Sequence, residues 1–491
     1  PPLVAIVLAL ITKEVYSSLL IGIVVGGMFY ANFNPEGTVL HVLEDGIIGS
    51  LADSWNVGIL VFLVILGTVV CLMNKAGGSA AFGRWAGEHI KSRVGVLLAT
   101  ILLGCLIFID DYFNCLTVGS VMRPVTDKHN VSRAKLAYLI DATAAPVCII
   151  APISSWAAAV TGFVEGEDGL SLFVRAIPYN FYALLTIVMM VSIVLLDVDF
   201  GPMKKFEINA KNGDLFTTGE KVFEEKAGDA NEKGTVKALV VPIATLIVCC
   251  VLGMIYTGGF FSGAGFVEAF SNSDASIGLA IGSGIALIIV VIYMLAARIL
   301  KFNECMECLP EGFKAMVPAI LILTLAWTLK VMTDSLGAKY YVAGIVEQYA
   351  GNMAMMLPAI IFVIGCILAF ATGTSWGTFG ILIPIVVNAF SNDPDLMIIA
   401  ISACMAGAVC GDHCSPISDT TIMASAGAQC DHVNHVSTQL PYALTVAAIS
   451  FITYIVAGFT KSALISLPFG TILTIAVLLF VKYIQRDNAK A

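Results

Sequence analysis

The feature that most constrains this chain is a series of long apolar stretches. They lie near residues 17–32, 57–73, 236–256, 276–298 and 442–460. Each approaches or exceeds the ~17–25 residues that a helix needs to cross a bilayer. Of the 491 residues, 58% are hydrophobic and only 12% are charged, which excludes a water-soluble fold. Open strands would leave unpaired backbone groups in lipid, so the sequence predicts an all-α polytopic membrane protein.

Charge and cysteine content exclude several kinds of partner. The formal net charge is −9 without any basic stripe, which argues against nucleic acid. The 13 cysteines lie mostly inside apolar stretches, as Cys249 and Cys250 do, and indicate small buried side chains instead of disulfides. Cys305 and Cys308 have metal-like spacing, but no second pair accompanies them. We expect no cofactor, and as partners only the lipid bilayer and a small solute. The chain opens at Pro1 without methionine, so we expect further residues upstream.

The positions of Lys and Arg predict how the chain is threaded, because these residues are retained on the cytoplasmic side. Two successive polar segments are basic, and the apolar stretch between them must therefore enter and leave on one face. This predicts a re-entrant hairpin over about 94–122 with its tip at Asp110–Asn114. The acidic loop around Glu167 is expected outside, whereas the segment 197–235 and the C-terminus are expected in the cytoplasm. The basic residues used here are Lys75, Arg84, Lys91, Arg93, Arg123, Lys128, Arg133, Lys135, Lys482, Arg486 and Lys490.

The chain also contains an internal repeat. Three short motifs of the first half recur in order in the second half, at a spacing of about 260 residues. The first copy begins outside and the second inside, so the copies are predicted to be inverted, with a binding site at the midplane between them. The matching motifs are Leu72-Met73 and Val331-Met332, Gly104-Cys105-Leu106-Ile107 and Gly365-Cys366-Ile367-Leu368, and Ala151-Pro152-Ile153-Ser154 and Ser415-Pro416-Ile417-Ser418.

These arguments divide the chain into two repeats and a scaffold. The first repeat covers 44–196 and holds the hairpin and a broken helix at about 136–162. The second covers 311–460, with a hairpin at about 353–390 and a broken helix at about 396–425. The predicted scaffold consists of helices in 1–43 and 236–310, and the chain ends in 461–491 with a helix and a cytoplasmic tail.

Polar side chains interrupt both hairpins and both broken helices at membrane depth. Proline kinks a helix and frees a carbonyl group, and glycine permits a tight hairpin tip. Freed carbonyls and hydroxyl oxygens are hard ligands that suit a small cation, while helix N-termini suit the carboxylate of an organic substrate. The candidate binding residues are Asp110, Asp111, Asn114, Ser154, Ser155, Thr374, Ser375, Thr378, Asp412, His413, Ser415, Ser418, Asp419 and Thr420.

Carboxylates are the first candidates, because at membrane depth they are costly unless paired or functional. Asp412 and Asp419 are separated by a break at Pro416, which could bring both toward one cavity. A carboxylate that binds either a proton or a cation is the minimal device for exchanging the two. Asp141 either belongs to the site or braces a hairpin. The predicted sodium ligands are Asp412, Ser418, Asp419, Thr374 and Ser375.

Three histidines leave alternatives open. His413 lies inside the second break and is either functional or structural. His432 and His435 follow in a polar segment. They could sense cytoplasmic pH, but we expect them to be solvated surface side chains.

The run from Gly411 to Thr421, with Gly373-Thr374-Ser375-Trp376-Gly377-Thr378 upstream, resembles the NhaC-type sodium/proton antiporters of the ion transporter superfamily. The likeness extends over nearly the whole chain. It implies a bacterial plasma membrane location, frequent homodimers, and an elevator movement of the hairpins and broken helices against a scaffold. The family also includes exchangers of malate and lactate and relatives thought to move amino acids. Many members have lysine and methionine where this chain has His413 and Cys414.

The sequence thus favours a secondary antiporter that exchanges sodium for protons. The alternative is a cation-coupled transporter or exchanger of small organic acids or amino acids, which the same oxygen-rich breaks would suit. An intramembrane enzyme with Ser418 as nucleophile beside Asp419 is disfavoured, since the repeat duplicates the serine without a matching general base. A channel is disfavoured because the hairpins close the path from each side.

Cysteine accessibility tests the predicted threading. With Glu167→Cys in intact cells, we expect reaction with a membrane-impermeant thiol reagent, whereas Lys128→Cys should react only once the cytoplasmic face is opened. The unsubstituted chain measures the background of its 13 natural cysteines. Labelling of Lys128→Cys from outside would contradict the inverted arrangement.

Overall fold

The computed structural model is helical throughout its described part, in which no strand occurs. This confirms the all-α prediction for these residues. The described residues are 1–12, 15–78, 81–82, 85, 89–108, 111–152, 154, 156, 160, 169–217, 234–337, 355–375, 377–378, 382–383, 386–387, 390 and 393–488.

The described helices are interrupted where polar, proline or glycine residues occur. Those of the first half are α1 (Pro2–Thr12), α2 (Val15–Tyr30), α3 (Pro35–Leu40), a π-helix (His41–Ile48), α4 (Gly49–Ala52), α5 (Ser54–Lys75), α6 (Arg93–Leu106), α7 (Asp111–Lys128), α8 (Arg133–Thr143), α9 (Ala145–Cys148), α10 (Gly169–Ala176), α11 (Phe181–Leu196) and α12 (Pro202–Lys211). Those of the second half are α13 (Lys237–Thr257), α14 (Phe266–Ser271), α15 (Ala275–Ala296), α16 (Phe302–Ser335), α17 (Leu357–Thr372), α18 (Pro394–Cys414), α19 (Asp419–Ala428), α20 (His432–Thr460) and α21 (Ala463–Asn488). Two 3-10 turns complete the set, Ile177–Tyr179 and Phe260–Ser262.

Six of the described helices are long and apolar enough to cross a membrane: α5, α13, α15, α18, α20 and α21. A further span is formed by α10 and α11, which meet at a bend of 46°. Asn180 lies at this bend and its side chain accepts a hydrogen bond from the Ala183 amide, which begins α11. The chain is therefore a multi-span membrane protein with a broken span. The apolar stretch near 17–32 corresponds to α2, whose 16 residues fall short of a full span.

The spans and the shorter helices form two packed groups. One group contains α1 to α5 and α13 to α16, with the long helix α16 packed on both α2 and α5. The other contains α6 to α12 and α17 to α21, and includes every described hairpin and break. The groups meet where α16 passes α19 and α17, and where α1 passes α17 and α20.

Helices α6 and α7 form a hairpin. The imidazole Nε2 of His129, just after α7, lies 2.9 Å from the carbonyl oxygen of Ile90, just before α6. Glu207 of α12 binds Arg93 at the start of α6 and accepts a hydrogen bond from the Ser132 amide at the start of α8. Both ends of the hairpin therefore lie together. Asp110, at the predicted tip, lies outside the described residues.

The helix α17 begins a second hairpin-like segment whose ends also meet. The carbonyl group of Met355, just before α17, touches Gly458 near the end of α20. Lys461, just after α20, pairs with Asp393 at 2.7 Å, just before α18. Ala428, at the end of α19 and shortly before the start of α20, accepts a hydrogen bond from Arg133 of α8. The ends of the first hairpin therefore lie near the start of α20, and those of the second segment lie near its end.

The first broken helix is interrupted at two places. The chain is non-helical at Ala151 and Pro152, inside the repeated motif, and α8 already ends at Thr143, where Ala144 leaves the helical conformation with ψ −96°. The reason is Pro146, which has no N–H to donate to the preceding turn. The second break follows Ser415, which is extended at φ −85° and ψ 129° because Pro416 comes next.

Two glycines join the halves of the molecule. Gly119 of α7 lies directly against the backbone of Gly427 in α19, and a Cβ atom on either residue would collide with the other helix. Absence of side chains lets helix backbones approach this closely. The hairpin of the first half and the broken helix of the second are therefore held in fixed register.

A buried ion pair braces the same group of helices. The Lys135 ammonium of α8 binds Asp199, which follows α11, and the hydroxyl group of Tyr442 in α20 donates to Asp199 at 2.6 Å. Burial alone would raise the pKa of Asp199, but Lys135 and Tyr442 together hold this pKa below its ordinary value. The segment predicted as a cytoplasmic loop thus contains structured anchors, including α12.

Removing one partner of this ion pair should destabilise the protein. Asp199→Asn would leave Lys135 charged and buried, and we expect a cost of about 3–5 kcal/mol. Adding Lys135→Met to that variant should recover much of the loss. Unfolding in detergent micelles, followed by tryptophan fluorescence, measures both. The control is Glu311→Gln, which breaks an exposed pair with Lys314 and should change nothing measurable; equal losses in all three variants would contradict the assigned role.

Candidate functional site

The site is built around the N-terminus of α19. Ser418 caps this helix, its hydroxyl oxygen accepting from the Thr421 amide at 3.3 Å. The first amide groups of a helix have no intrahelical partner and carry a partial positive charge. A carboxylate or another oxygen-rich group is stabilised at such an end, and Asp419 is the first residue of the helix.

The first half of the chain reaches Asp419 through the start of α7. The hydroxyl group of Tyr112 donates to Asp419 Oδ2 at 2.5 Å, while Asp419 Oδ1 accepts from the amide of Thr420 at 2.9 Å. The Thr420 hydroxyl in turn lies 3.3 Å from Asp111 Oδ2. Hydrogen bonds thus connect carboxylates that lie about 300 residues apart in the sequence.

Asp412 enters the same site from the end of α18. Its Oδ2 atom accepts from the Ser375 hydroxyl at 2.8 Å, and the Ser418 side chain also interacts with it. Asp412 is 2% exposed, and its Oδ1 atom has no hydrogen-bond donor among the described residues. Asp412 also interacts electrostatically with Asp419.

Gly373 allows the segment after α17 to approach the second break, between α18 and α19. It ends α17 with φ +66°, a conformation that side chains rarely adopt. A Cβ atom there would lie 2.6 Å from the carbonyl oxygen of Ile417. The absence of a side chain therefore places Thr374 and Ser375 directly against the break.

Asn114 serves as a brace. Its amide nitrogen lies within hydrogen-bond distance of the carbonyl oxygens of Gly104, Ile107 and Thr143. These contacts tie both arms of the first hairpin to the end of α8. The Asn114 side-chain oxygen is buried and has no hydrogen-bond partner among the described residues.

Three other predicted site residues donate to backbone carbonyl oxygens and not to the carboxylates. The Ser154 hydroxyl donates to the carbonyl oxygens of Cys148 and Ala151. Thr378 donates to the Thr374 carbonyl oxygen at 3.0 Å, and Ser415 donates to that of Phe370 at 2.8 Å. Ser155 lies outside the described residues. The structure thus brings together Asp111, Ser375, Asp412, Ser418, Asp419 and Thr420, which we call the carboxylate cluster.

The sequence leaves open whether Asp141 belongs to the site or braces a hairpin, and the structure places it beside this cluster. It is 1% exposed, accepts from the Gln439 amide at 2.9 Å, and interacts electrostatically with Asp412 and Asp419. His435 and His413 approach it at 3.6 and 3.9 Å. Tyr112, Gln439 and Tyr182 were not predicted at all, because a lone tyrosine or glutamine in an apolar chain gives no pattern.

The expectation that His432 and His435 are solvated is wrong. They are 8% and 0% exposed, because the first turns of α20 pack against α19 and α8. His413 is also buried, with its Nδ1 atom 2.8 Å from the Tyr182 hydroxyl group. His413 and His435 thus lie close to Asp141, and Asp412 and Asp419 act on it electrostatically.

Charge compensation for the cluster comes partly from the group of helices α1 to α5 and α13 to α16. Lys330 of α16 acts on Asp419 as a nearby positive charge. Across the described residues, no three His, Cys, Asp or Glu side chains converge in the manner of a metal centre. The oxygen atoms of the cluster are instead carboxylate and hydroxyl groups, which are hard ligands.

Comparison with known proteins is consistent with the motif at the second break. The sequence pattern of the Na+/H+ antiporter family matches residues 136–459. An uncharacterised protein of Haemophilus influenzae is 39% identical over 507 residues, covering 98% of this chain and 94% of that relative. The malate-2H(+)/Na(+)-lactate antiporter of Bacillus subtilis is 29% identical over 166 residues, covering 32% of this chain and 34% of that protein. The solved YdaH transporter of Alcanivorax borkumensis aligns with a TM-score of 0.37 and 13% identity over 91% of this chain and 90% of its own, too loosely to carry an argument.

The resemblance to NhaC-type antiporters is thereby confirmed by the family pattern. The chain belongs to the Na+/H+ antiporter family, a family of membrane transporters and not of enzymes.

Proposed function

We propose that the protein exchanges sodium for protons across the bacterial plasma membrane, with its C-terminus in the cytoplasm. One observation carries this proposal: buried carboxylates from both halves of the chain meet at the start of α19, through the contact of Thr420 with Asp111 and of Tyr112 with Asp419. Acids held together in an apolar protein are costly unless a cation or a proton neutralises them.

The proposed sodium ligands are Asp412, Asp419, Ser375, Ser418 and Thr374. Asp412 supports this set most directly, since one of its oxygen atoms is buried and accepts no hydrogen bond from the described residues. Two neighbouring carboxylates and hydroxyl oxygens are the hard ligands that alkali and alkaline-earth cations prefer. The positive end of α19 moderates the negative charge, so that the ion can also leave.

An elevator movement accounts for access from both faces. The residues of the carboxylate cluster belong to, or closely follow, helices of the group α6 to α12 and α17 to α21, and this group meets the rest of the chain along α1 and α16. We propose that this group carries the ion as one body. A homodimer, which the family resemblance implies, would hold the other group still in the membrane.

A second candidate is exchange of an organic acid or amino acid coupled to a cation. Lys330 favours it, because a positive side chain beside Asp419 could bind a substrate carboxylate. The malate-2H(+)/Na(+)-lactate antiporter of B. subtilis is a relative of this chain. Proteoliposomes with an imposed sodium gradient and an internal pH dye separate the candidates, since only the second requires added carboxylates or amino acids for flux.

Competition between sodium and protons should be visible in the pH dependence of binding. Protons occupy the carboxylates as the pH falls, so the apparent sodium affinity should decrease, by up to about tenfold per pH unit for one competing proton. Equilibrium binding of radioactive sodium to the purified protein between about pH 5.5 and 8.5 measures this. A flat affinity over that range would count against the carboxylates as a shared site.

Neutralising single acids should separate binding groups from braces. Asp419→Asn keeps the volume and much of the hydrogen bonding, so we expect the protein to fold and the exchange to fall to background. Asp111→Asn should do the same if both halves serve the ion. The exposed Glu311→Gln is the matched control and should retain full activity. Transport rates normalised to folded protein decide the question: full activity in Asp419→Asn refutes the site, and full activity in Asp111→Asn confines it to the second half.

A further inference from the structure

A second polar cluster lies close to Asp141 and contributes no ligand to the proposed sodium site. Ser425 of α19 lies between two imidazoles of α20, with its hydroxyl oxygen 2.9 Å from His432 Nδ1 and 2.8 Å from His435 Nδ1. The same oxygen is 2.9 Å from the carbonyl oxygen of Thr421. We call Ser425, His432 and His435 the histidine site.

The Nε2 atom of His432 must carry a hydrogen. It lies 2.7 Å from the carbonyl oxygen of Pro416, which can only accept. The hydrogen bond therefore attaches the histidine site to the backbone of the second break.

The Nε2 atom of His435 must carry a hydrogen as well. The amide nitrogen of Gln439 faces two acceptors, the Asp141 carboxylate at 2.9 Å and the His413 carbonyl oxygen at 2.6 Å. A carbonyl group cannot donate, so this orientation of the amide is fixed. The Gln439 oxygen atom consequently faces His435 Nε2 at 2.8 Å and requires an N–H there.

The acceptors around Ser425 then outnumber the hydrogens available to them. With both Nε2 atoms protonated, two neutral imidazoles present bare Nδ1 atoms to Ser425, and the Thr421 carbonyl oxygen is a third acceptor. The single hydroxyl hydrogen can satisfy only one of the three. One added proton, on either Nδ1, creates a donor to the Ser425 oxygen and frees the hydroxyl to serve the other imidazole.

The surroundings can balance that added charge. Asp141 of α8 lies 3.6 Å from His435 Nε2, and Asp431 acts on His432 from just before α20. Burial, the neighbouring His432 and His413 of α18, whose ring is bonded to Tyr182 of α11, oppose a positive charge on His435. Asp412 and Asp419 act in turn on Asp141.

We propose that the histidine site binds a further exchanged proton, in addition to the proton that competes with sodium at the carboxylate cluster. This inference rests on the proposed function for the role of the proton, but not for its binding. Coupling runs through Asp141, which interacts with both sites. A sodium ion at Asp412 and Asp419 adds positive charge near Asp141 and so favours release of the proton from the imidazoles, without any shared ligand.

Ring nitrogen NMR tests the binding of the proton in the full-length wild-type protein. The chain has six histidines, and labelling their rings with nitrogen-15 distinguishes neutral imidazole from imidazolium. His432→Gln and His435→Gln assign the two signals. We expect one imidazolium in this pair to form as the pH is lowered from about 8.5 to 5.5, and addition of sodium to shift its midpoint to lower pH. A pair that stays neutral throughout would overturn the proposal, whether or not sodium exchange occurs.

Transport measurements test the coupling. In His432→Gln and His435→Gln, an amide can still donate in place of Nε2, and the Ser425 hydroxyl hydrogen then suffices for the one remaining imidazole, so the added proton is no longer required. We expect sodium binding to persist and sodium-driven proton flux to fall. His89→Gln, at an exposed position, is the control and should keep the wild-type flux. Unchanged flux in both histidine variants refutes the proposal, whereas absence of flux in the wild type, with the imidazolium still seen by NMR, refutes the proposed function instead.

Discussion

Burial of carboxylates in an apolar protein is the constraint on which the other polar features depend. Every buried acid requires donors, and an unbroken helix offers none from its backbone. Asp419 obtains one from the amide of Thr420 only because the chain breaks after Ser415 and a new helix begins. The proline that produces the break therefore also produces the electrostatic environment of the site. Asp412 instead depends on a hydroxyl group, that of Ser375.

The same constraint explains why the two halves cannot be described separately. The first half contributes its acids on a hairpin and near the end of α8, whereas the second contributes them around its break. The packing of α7 on α19, made close by Gly119 and Gly427, and that of α8 on α19 and α20 bring these elements together. Asp141 then interacts with two kinds of titratable group, carboxylates and imidazoles. That position makes it suited to transmit charge and not to hold the ion itself.

Much of this arrangement could be read from the sequence, because the features concerned are local. Long apolar runs predicted most of the spans, and the prolines and glycines pointed to the second break and to the tip after α17. The early end of α8 was missed although Pro146 signals it. Burial of His432 and His435 was not predictable, since their polar neighbours in sequence suggested a surface, and only the fold covers them with α8 and α19. The role of Tyr112 depends on a partner 307 residues away, for which a single sequence holds no signal.

The contact of Gly119 with Gly427 has a consequence for the synthesis of the protein. Chains enter the membrane from the N-terminus onward, so the first hairpin is inserted long before α19 exists. Its final packing surface includes a helix that follows some 300 residues later, and the first half cannot reach its native packing as an independent domain. The nascent protein must persist in the bilayer as an incomplete intermediate, open to chaperones and membrane proteases. A chain truncated before α19 would be a substrate for quality control and not half of a transporter.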